Sequence, residues 1–378
     1  MNVIRKLKKI TTKHFFLVII LSLSFLASIV FVNNNYSLYD QPIAEVIETE
    51  LQETTETMDM YGNEDRIYTQ EINAILKNGE DKGKLITLTN EYSLSKAFDH
   101  EYKIGQNVFV SITTMEEENT ALTGMIKDVK RDTYLVVVSW IFIFTLIIIG
   151  KKQGLFSILS LAVNAILLSF ALDVYINHSD ISLILICGFS IILFTVISLL
   201  LVNGFNEKTF SAIVATLFAT FISLFITYVV IKLTAENGLR YEGMQFITRP
   251  YQMVFMAGLF LGSLGAVMDV AITMSSSIFG IYEKNKNISA KVLKASGMEI
   301  GKDIMGTMTN ILFFVYISGS IPMLILYFKN HSPLGFTLSM NLSLELARAL
   351  AGGIGIVLTI PIAIYTTIFF IQRKRARA

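Results

Sequence analysis

The chain has 378 residues, of which 53% are hydrophobic and only 16% are charged. The hydrophobic residues come in long runs instead of at strand or helix spacing, which excludes a set of ordinary soluble domains. The net charge of +1 favours no class of partner. The single cysteine, Cys187, excludes an intrachain disulfide, and the scattered histidines predict neither a metal site nor a bound cofactor.

The N-terminus is basic and is followed by the apolar run FFLVIILSLSFLASIVFV. This run is longer than the apolar core of a signal peptide, about 7–15 residues, and no clear A-x-A cleavage site follows it. We therefore predict an uncleaved helix, TM1, over about residues 14–32 within a first segment 1–33. The basic end of TM1 is expected in the cytoplasm.

Residues 34–131 are polar and contain no spanning run. Five short stretches have strand character: PIAEVIET, RIYTQEINAIL, GKLITLTNEY, YKIGQNVFVSITT and ALTGMIKDVK. Their spacing predicts a small extracytoplasmic β-rich domain, an OB-like barrel or a sandwich, between TM1 and TM2. Basic and aromatic residues are not interleaved, so nucleic acid is not an expected partner.

Seven further apolar runs form a membrane domain over residues 132–372. They lie at about 134–150, 154–172, 181–202, 209–232, 251–279, 304–328 and 345–371 and define TM2–TM8. About eight transmembrane helices then make this an α-helical polytopic membrane protein, with the lipid bilayer as its first partner. The basic clusters, including the tail 373–378, all fall on the cytoplasmic side, together with both termini.

An acid, Asp269, stands inside the apolar run of TM6. Helical spacing places Gly258, Gly262, Gly265 and Asp269 on one face, and Gly258 and Gly262 form the G-x-x-x-G pattern that lets helices approach closely. We therefore expect this face to be packed. A carboxylate at membrane depth is costly, which favours a proton or cation site over a purely structural acid.

TM7 and TM8 carry further polar residues. Asp303, Thr307 and Asn310 share a face of TM7. Together with Thr309, they are candidates for the same proton, cation or substrate site. Asp303 alone is equally typical of a helix cap near the membrane surface. Asp269 is then expected to lie deeper in the membrane than Asp303. On TM8, Glu345 and Arg348 are three residues apart, which favours an ion pair at the outer interface. Gly352 and Gly355 continue that face as helix-packing residues.

Three spans, TM3–TM5, precede three of opposite direction, TM6–TM8. NEKTFSAIVAT opens TM5 and LELARALAGGIG opens TM8, each with an acid, a base and then small residues. This pattern suggests a 3+3 inverted repeat, the construction of many transporters.

Three membrane motifs, LGSLGAVMDVAITMSSSI, SGMEIGKDIMGTMTNIL and ELARALAGGIGIVLTIPI, resemble the YibE/F family of bacterial multi-pass membrane proteins. GKLITLTNEYS and YKIGQNVFV resemble the extracytoplasmic segment of that family. Lys302 departs from the family pattern, in which arginine is common, and loses a fork-shaped donor. The resemblance implies the bacterial plasma membrane and an extracytoplasmic domain after TM1, but no established activity.

Two functions remain open. The first is a secondary transporter or export-assisting permease for an unknown small solute or ion, built around Asp269. The second is a non-transporting envelope protein whose outer domain binds a partner. An enzyme is not expected, because neither a G-x-G-D motif nor a Ser/His dyad is present. The glycine faces favour association with a second copy or with another membrane protein.

Overall fold

The computed structural model describes residues 12–96, 99–113, 122–178, 181–244 and 250–377. The basic residues predicted ahead of TM1, apart from Lys13, lie outside the described residues, as does Arg249. The chain divides into two compact units, residues 1–145 and 146–378.

The first unit contains a closed barrel of five strands in the order β1-β2-β3-β5-β4. Its strands are β1 (Ile43–Met58), β2 (Glu64–Leu76), β3 (Leu85–Ser93), β4 (Asn107–Thr113) and β5 (Leu122–Val129). All neighbours are antiparallel except β3 and β5, which are parallel. The predicted β-rich domain is thus confirmed as a closed barrel, while its likeness to the OB fold stays a prediction.

Alternating apolar residues fill the barrel. Ile86 and Leu88 on β3 point inward with Val108 and Val110 on β4, and each is at most 2% exposed. This is the period-two pattern that the sequence shows in these stretches. Gly124 on β5 lies so close to the backbone carbonyl of Ser111 that a Cβ atom would collide with it. Only glycine therefore lets β4 and β5 approach here.

The β1–β2 hairpin is longer than predicted. β1 continues to Met58 and stays paired with β2, although it pairs with β4 only over its first residues. The far half of the hairpin therefore projects beyond the barrel. The turn at its tip exposes Met60 to 89% of its surface and Tyr61 to 49%.

Helix α1 (Thr12–Asn34) and the start of α2 (Asp132–Asn177) complete the first unit. Phe25 and Trp140 pack edge to face with ring centroids 5.8 Å apart, and the Trp140 indole N–H donates to Ser28 Oγ at 2.8 Å. These contacts join the start of α2 to α1. The boundary between the two units therefore lies after Thr145 and not at residue 131, where the composition of the sequence changes.

The second unit is helical. It holds the rest of α2, then α3 (Leu183–Asn203), α4 (Glu207–Leu233), α5 (Tyr251–Lys284), α6 (Ala290–Ser318), α7 (Ile321–Lys329) and α8 (Leu334–Arg377). Helix α8 packs against α4, α5 and α6, and the largest apolar core lies among these helices. Helices α6 and α7 are separated by a bend of 51°.

Helix α2 consists of two helical segments joined at Lys151, where φ is 50° and ψ is −121°. Gly154 lies against the carbonyl of Leu146, eight residues earlier. In a straight helix these residues would be about 12 Å apart along the axis. The chain therefore turns sharply at Lys151, where the sequence predicts the end of TM2.

Five helices among the described residues are long and apolar enough to cross a membrane: α2, α3, α4, α5 and α8. The bent pair α6–α7 makes a sixth span if it is counted as one. Counting α1 and the two segments of α2 separately would give the predicted eight. The number of crossings thus stays a prediction, whereas the polytopic helical architecture is confirmed.

Candidate functional site

The glycine face of α5 is exposed within the chain. Gly258, Gly262, Gly265 and Asp269 do share one face, but all four are solvent-accessible in the single chain. Within the single chain, this is therefore not the face that packs into the core. The opposite face fills the core instead, because it carries the bulkier apolar side chains. Those side chains are fully buried: Val267, Val270, Ala271, Met274 and Ile278.

The candidate residues on α6 also face outward. Asp303, Thr307 and Asn310 are exposed. Thr309 is half-buried, and its hydroxyl donates to the carbonyl of Met305 at 2.8 Å. No hydrogen bond or ion pair joins Asp269 or Asp303 to any residue that the structure describes. The structure therefore does not bring the predicted site residues together inside the bundle.

Both acids lie well inside their helices, far from the turn that joins α5 and α6. At about 1.5 Å per residue, Asp269 is about 22 Å from the end of α5 and Asp303 about 20 Å from the start of α6. Both distances are measured from the short turn that joins the two helices. The expectation that Asp269 lies deeper in the membrane than Asp303 therefore stays a prediction.

The glycines of α8 do pack inside the bundle. Gly352 lies directly against Leu312, and Gly355 faces Val267 Cγ2 at 3.1 Å from an ideal Cβ position. On α5, Gly262 lies close to the hydroxyl of Tyr316, whereas no atom of the described residues lies within 4 Å of an ideal Cβ on Gly265. The predicted packing role therefore fits Gly352 and Gly355 but not Gly265.

Sequence reasoning missed a second pair of packing glycines, Gly297 and Gly301 on α6. Both are buried; an ideal Cβ on Gly297 would lie 3.0 Å from Ile364, and Gly301 lies directly against Ile360. Their four-residue spacing is itself a G-x-x-x-G pattern. That signal was available in the sequence and marks the contact between α6 and α8.

The predicted pair of Glu345 and Arg348 on α8 is present as an ion pair. Both side chains are mostly buried, with 24% and 21% of their surfaces exposed. The Arg348 guanidinium also lies over the ring of Phe255, 5.3 Å from its centroid. Arg348 is thus held between a carboxylate and an aromatic face, which fixes the direction in which its remaining N–H donors point.

A polar cavity of about 320 Å³ lies beside this ion pair. Its walls come from three parts of the second unit: the loop after α4, the break between α6 and α7, and the first half of α8. The charged and backbone groups that line it include Arg240, Glu242, Gly319, Ser320, Glu345 and Arg348. Arg240 pairs with Glu242 at 3.6 Å, so the cavity holds two arginines and two carboxylates.

A column of hydroxyl groups runs through the core, and sequence reasoning missed it. Thr209, Thr216, Thr220, Ser223 and Thr227 follow one face of α4, at spacings of seven, four, three and four residues. The column is about 27 Å long, close to the thickness of a bilayer core. The hydroxyls of the first three have no hydrogen-bond partner among the described residues.

A closed triangle of hydroxyls lies near the Thr209 end of this column. Ser211 on α4, Ser275 on α5 and Thr367 on α8 are fully buried and lie 2.8–3.3 Å apart. The helical repeat of hydroxyl residues in an apolar span is the sequence signal that marks these positions.

The long apolar helices around one core, preceded by a β-barrel domain, define a multi-pass membrane protein. The chain belongs to the YibE/F family: residues 138–373 match the model of the YibE/F-like protein, and residues 37–129 match the YibE/F family N-terminal domain. A search of curated proteins and a search of solved structures each return no significant match. Family membership therefore supports the architecture and leaves the activity to be argued from the site.

Proposed function

We propose that this membrane protein is a secondary transporter or export-assisting permease. The observation that carries the proposal is the charged cavity at the break between α6 and α7. Broken helices at membrane depth are common at the binding sites of transporters, because they free backbone groups for a solute.

The cavity suits a small solute with both an acidic and a hydrogen-donating group. Arg348 and Arg240 offer planar donors for a carboxylate or phosphate, and Glu345 and Glu242 offer acceptors. A solute that carries both kinds of group could replace the existing ion pairs without leaving a charge uncompensated. An uncharged solute would not repay that exchange.

The proposal keeps Asp269 as a proton or cation site, but under a condition on its surroundings. The residues that would assist it are Asp303, Thr307, Thr309 and Asn310. Because Asp269 is exposed on α5, it can take part in transport only where water or a second protein covers that face. The inverted repeat of TM3–TM5 and TM6–TM8 also stays a prediction.

Gene deletion and complementation test the proposal. The deletion strain is grown on a panel of ions, amino acids and toxic compounds, and is complemented with the wild type or with Arg348→Gln at matched membrane levels. Lys208→Gln is the control, because Lys208 also pairs with a glutamate, Glu283 at 3.2 Å, but does not line the cavity. We expect the wild type and the control to rescue growth and Arg348→Gln to fail. Full rescue by Arg348→Gln would refute the cavity as the solute site.

The proposal includes the bacterial plasma membrane, cytoplasmic termini and an outer position for residues 34–131. It is supported by the concentration of lysine and arginine in the segments assigned to the cytoplasm. A cysteine introduced at Met60, with Cys187 replaced by serine, should react with a membrane-impermeant maleimide in intact cells. Protection of this cysteine until the cells are lysed would contradict the orientation.

The second candidate is an envelope protein that binds a partner through its barrel. The tip of the β1–β2 hairpin favours it, because Met58, Met60 and Tyr61 are all exposed there, Met60 to 89%. Exposed apolar side chains on a projecting element are typical of a protein contact. This function predicts that serine at the three tip positions abolishes rescue, whereas Arg348→Gln is tolerated.

A further inference from the structure

A small polar cavity lies in the core of the second unit, separate from the charged cavity. It is formed by α4, α5 and α8 and has room for about one water-sized sphere, about 10 Å³. Four hydroxyl residues line it: Thr220, Ser223 and Thr227 from α4, and Ser263 from α5. Three of these residues are at least nine-tenths buried, with Thr220 exposed to only 2%.

Three of the hydroxyls around this cavity already donate their protons to backbone carbonyls. Ser223 Oγ donates to the carbonyl of Ala351 at 2.8 Å, Thr227 Oγ1 to the carbonyl of Ser223 at 2.8 Å, and Ser263 Oγ to the carbonyl of Leu259 at 3.2 Å. Each hydroxyl has only one proton to donate. These three groups can therefore offer only acceptor oxygens to anything placed between them.

Thr220 adds a fourth oxygen that is not yet engaged. Its hydroxyl is buried and has no partner among the described residues, although most threonines in helices donate to the carbonyl four residues earlier. A buried hydroxyl without a partner is costly, so this position indicates an occupant. Three hydroxyls that have already donated their protons favour a cation or a hydrogen-bond donor and disfavour an anion.

From this geometry we propose that the cavity binds a dehydrated Na⁺ ion. Its volume is at the lower limit for a water molecule, which suits Na⁺ better than the larger K⁺. Neutral oxygens can replace the hydration shell of a monovalent ion, as in ion-selective filters. No carboxylate lines the cavity, so Ca²⁺ and Mg²⁺, which prefer charged oxygen ligands, fit less well.

The position also connects this cavity with the charged one. Ala351 follows Arg348 by about one turn of α8. On α5, Ser263 follows Gly258, and an ideal Cβ on Gly258 would lie 3.9 Å from the Arg348 Nε atom. Binding of Na⁺ would stiffen α4, α5 and α8 directly beneath Arg348. A coupling of Na⁺ to solute rests on the proposed function, whereas Na⁺ binding itself does not.

Thermal unfolding of the purified full chain in detergent tests the site. The melting temperature is measured in NaCl, KCl and choline chloride at equal ionic strength, without any solute. We expect a saturable rise in NaCl that KCl reproduces only weakly. Equal curves in all three salts would mean that the cavity holds water only and would overturn the proposal.

Variants at one position identify the ligands. Thr220→Val removes one oxygen at nearly constant volume and should raise the half-saturating Na⁺ concentration by about tenfold or more. Thr220→Ser keeps the oxygen and should stay near the wild type. Thr216→Val is the matched control, because Thr216 is fully buried and unpartnered one turn away but does not line the cavity. An equal loss in Thr216→Val would contradict the assignment.

If Thr220→Val is too unstable to unfold cooperatively, the binding of radioactive Na⁺ to the purified protein is measured directly. Ser263→Ala then supplies the second ligand variant and should also weaken binding. These results are separate from the complementation test. A Na⁺-specific rise in melting temperature together with full rescue by Arg348→Gln would support the cation site and refute the solute cavity. Equal melting curves in all three salts together with failed rescue by Arg348→Gln would refute only the cation site.

Discussion

Replacing Lys130 with methionine tests whether a buried cation holds the base of the barrel together. The Lys130 side chain is only 4% exposed, and its Nζ lies 3.1 Å from a carboxylate oxygen of Asp132. The same ammonium donates to the carbonyl of Val32 at 2.6 Å and faces the rings of Tyr36 and Tyr39 at 5.6 and 5.7 Å. Methionine keeps an unbranched apolar side chain that is only one atom shorter, and it removes the charge and its hydrogen bonds.

The expected loss follows from what remains after the change. Removing one member of a buried ion pair costs about 3–5 kcal/mol, because the other charge stays buried without its partner. Asp132 is still 24% exposed and keeps hydrogen bonds from Tyr39 and Asn35. We therefore expect the lower end of this range, a loss of about 3 kcal/mol in the free energy of unfolding of the first unit.

The single tryptophan, Trp140, reports on this unit alone. Denaturant unfolding of the full chain in detergent, followed by its fluorescence, gives the free energy. The control is Lys84→Met, which breaks the pair with Asp81 at 2.7 Å on a lysine side chain that is 63% exposed, and should cost at most about 1 kcal/mol. A loss in Lys130→Met no larger than in this control would refute the reasoning.

Two further predictions concern the second unit. Gly301→Leu should destabilise it by about 1–3 kcal/mol or more, because the new side chain would collide with Ile360. Gly306→Leu is the control and should not destabilise it, because no atom of the described residues lies within 4 Å of an ideal Cβ there. Thermal unfolding followed by circular dichroism measures both effects. Burial raises the pKa of Tyr241 to about 12. Because the pKa is higher in the folded than in the unfolded protein, Tyr241 contributes to stability below pH 10. This contribution is lost as the pH rises towards 12. Tyr241→Phe should therefore remove one tyrosinate transition near pH 12 from the absorbance titration, and an unchanged titration would contradict this.

The sequence was most informative where a local pattern decides the structure. All five strands overlap the five stretches with predicted strand character, because inward and outward residues of a small barrel must alternate. The turn at Lys151 was also predicted, since charged residues interrupt the apolar run there. The end of β1 was not, because its polar second half gains its order from pairing with β2 and not from a core.

The candidate site was harder to predict, because a helical stripe identifies a face but not its neighbour. Gly265 and Gly355 belong to similar stripes, yet nothing approaches Gly265, whereas Gly355 faces Val267 and Ser223. Which stripe is buried depends on the volume of the residues on the other side, and on the order in which the helices surround α8. The cavity beside Arg348 likewise needs the break after α6, which the sequence marks only by Gly319 and Pro322.

The outward direction of Asp269 limits how it can function. Small residues surround it on its face of α5, and Asp303 is likewise exposed on α6. An acid at membrane depth needs protein or water beside it, and the surrounding glycines permit another helix to approach closely. We therefore propose that a second copy of this chain covers this face. Asp269→Asn and Gly265→Leu should then shift the purified protein to a smaller assembly in light scattering, whereas Gly306→Leu should not. An unchanged mass for both variants would contradict this contact and leave Asp269 facing water, where only a transport assay can reveal its role.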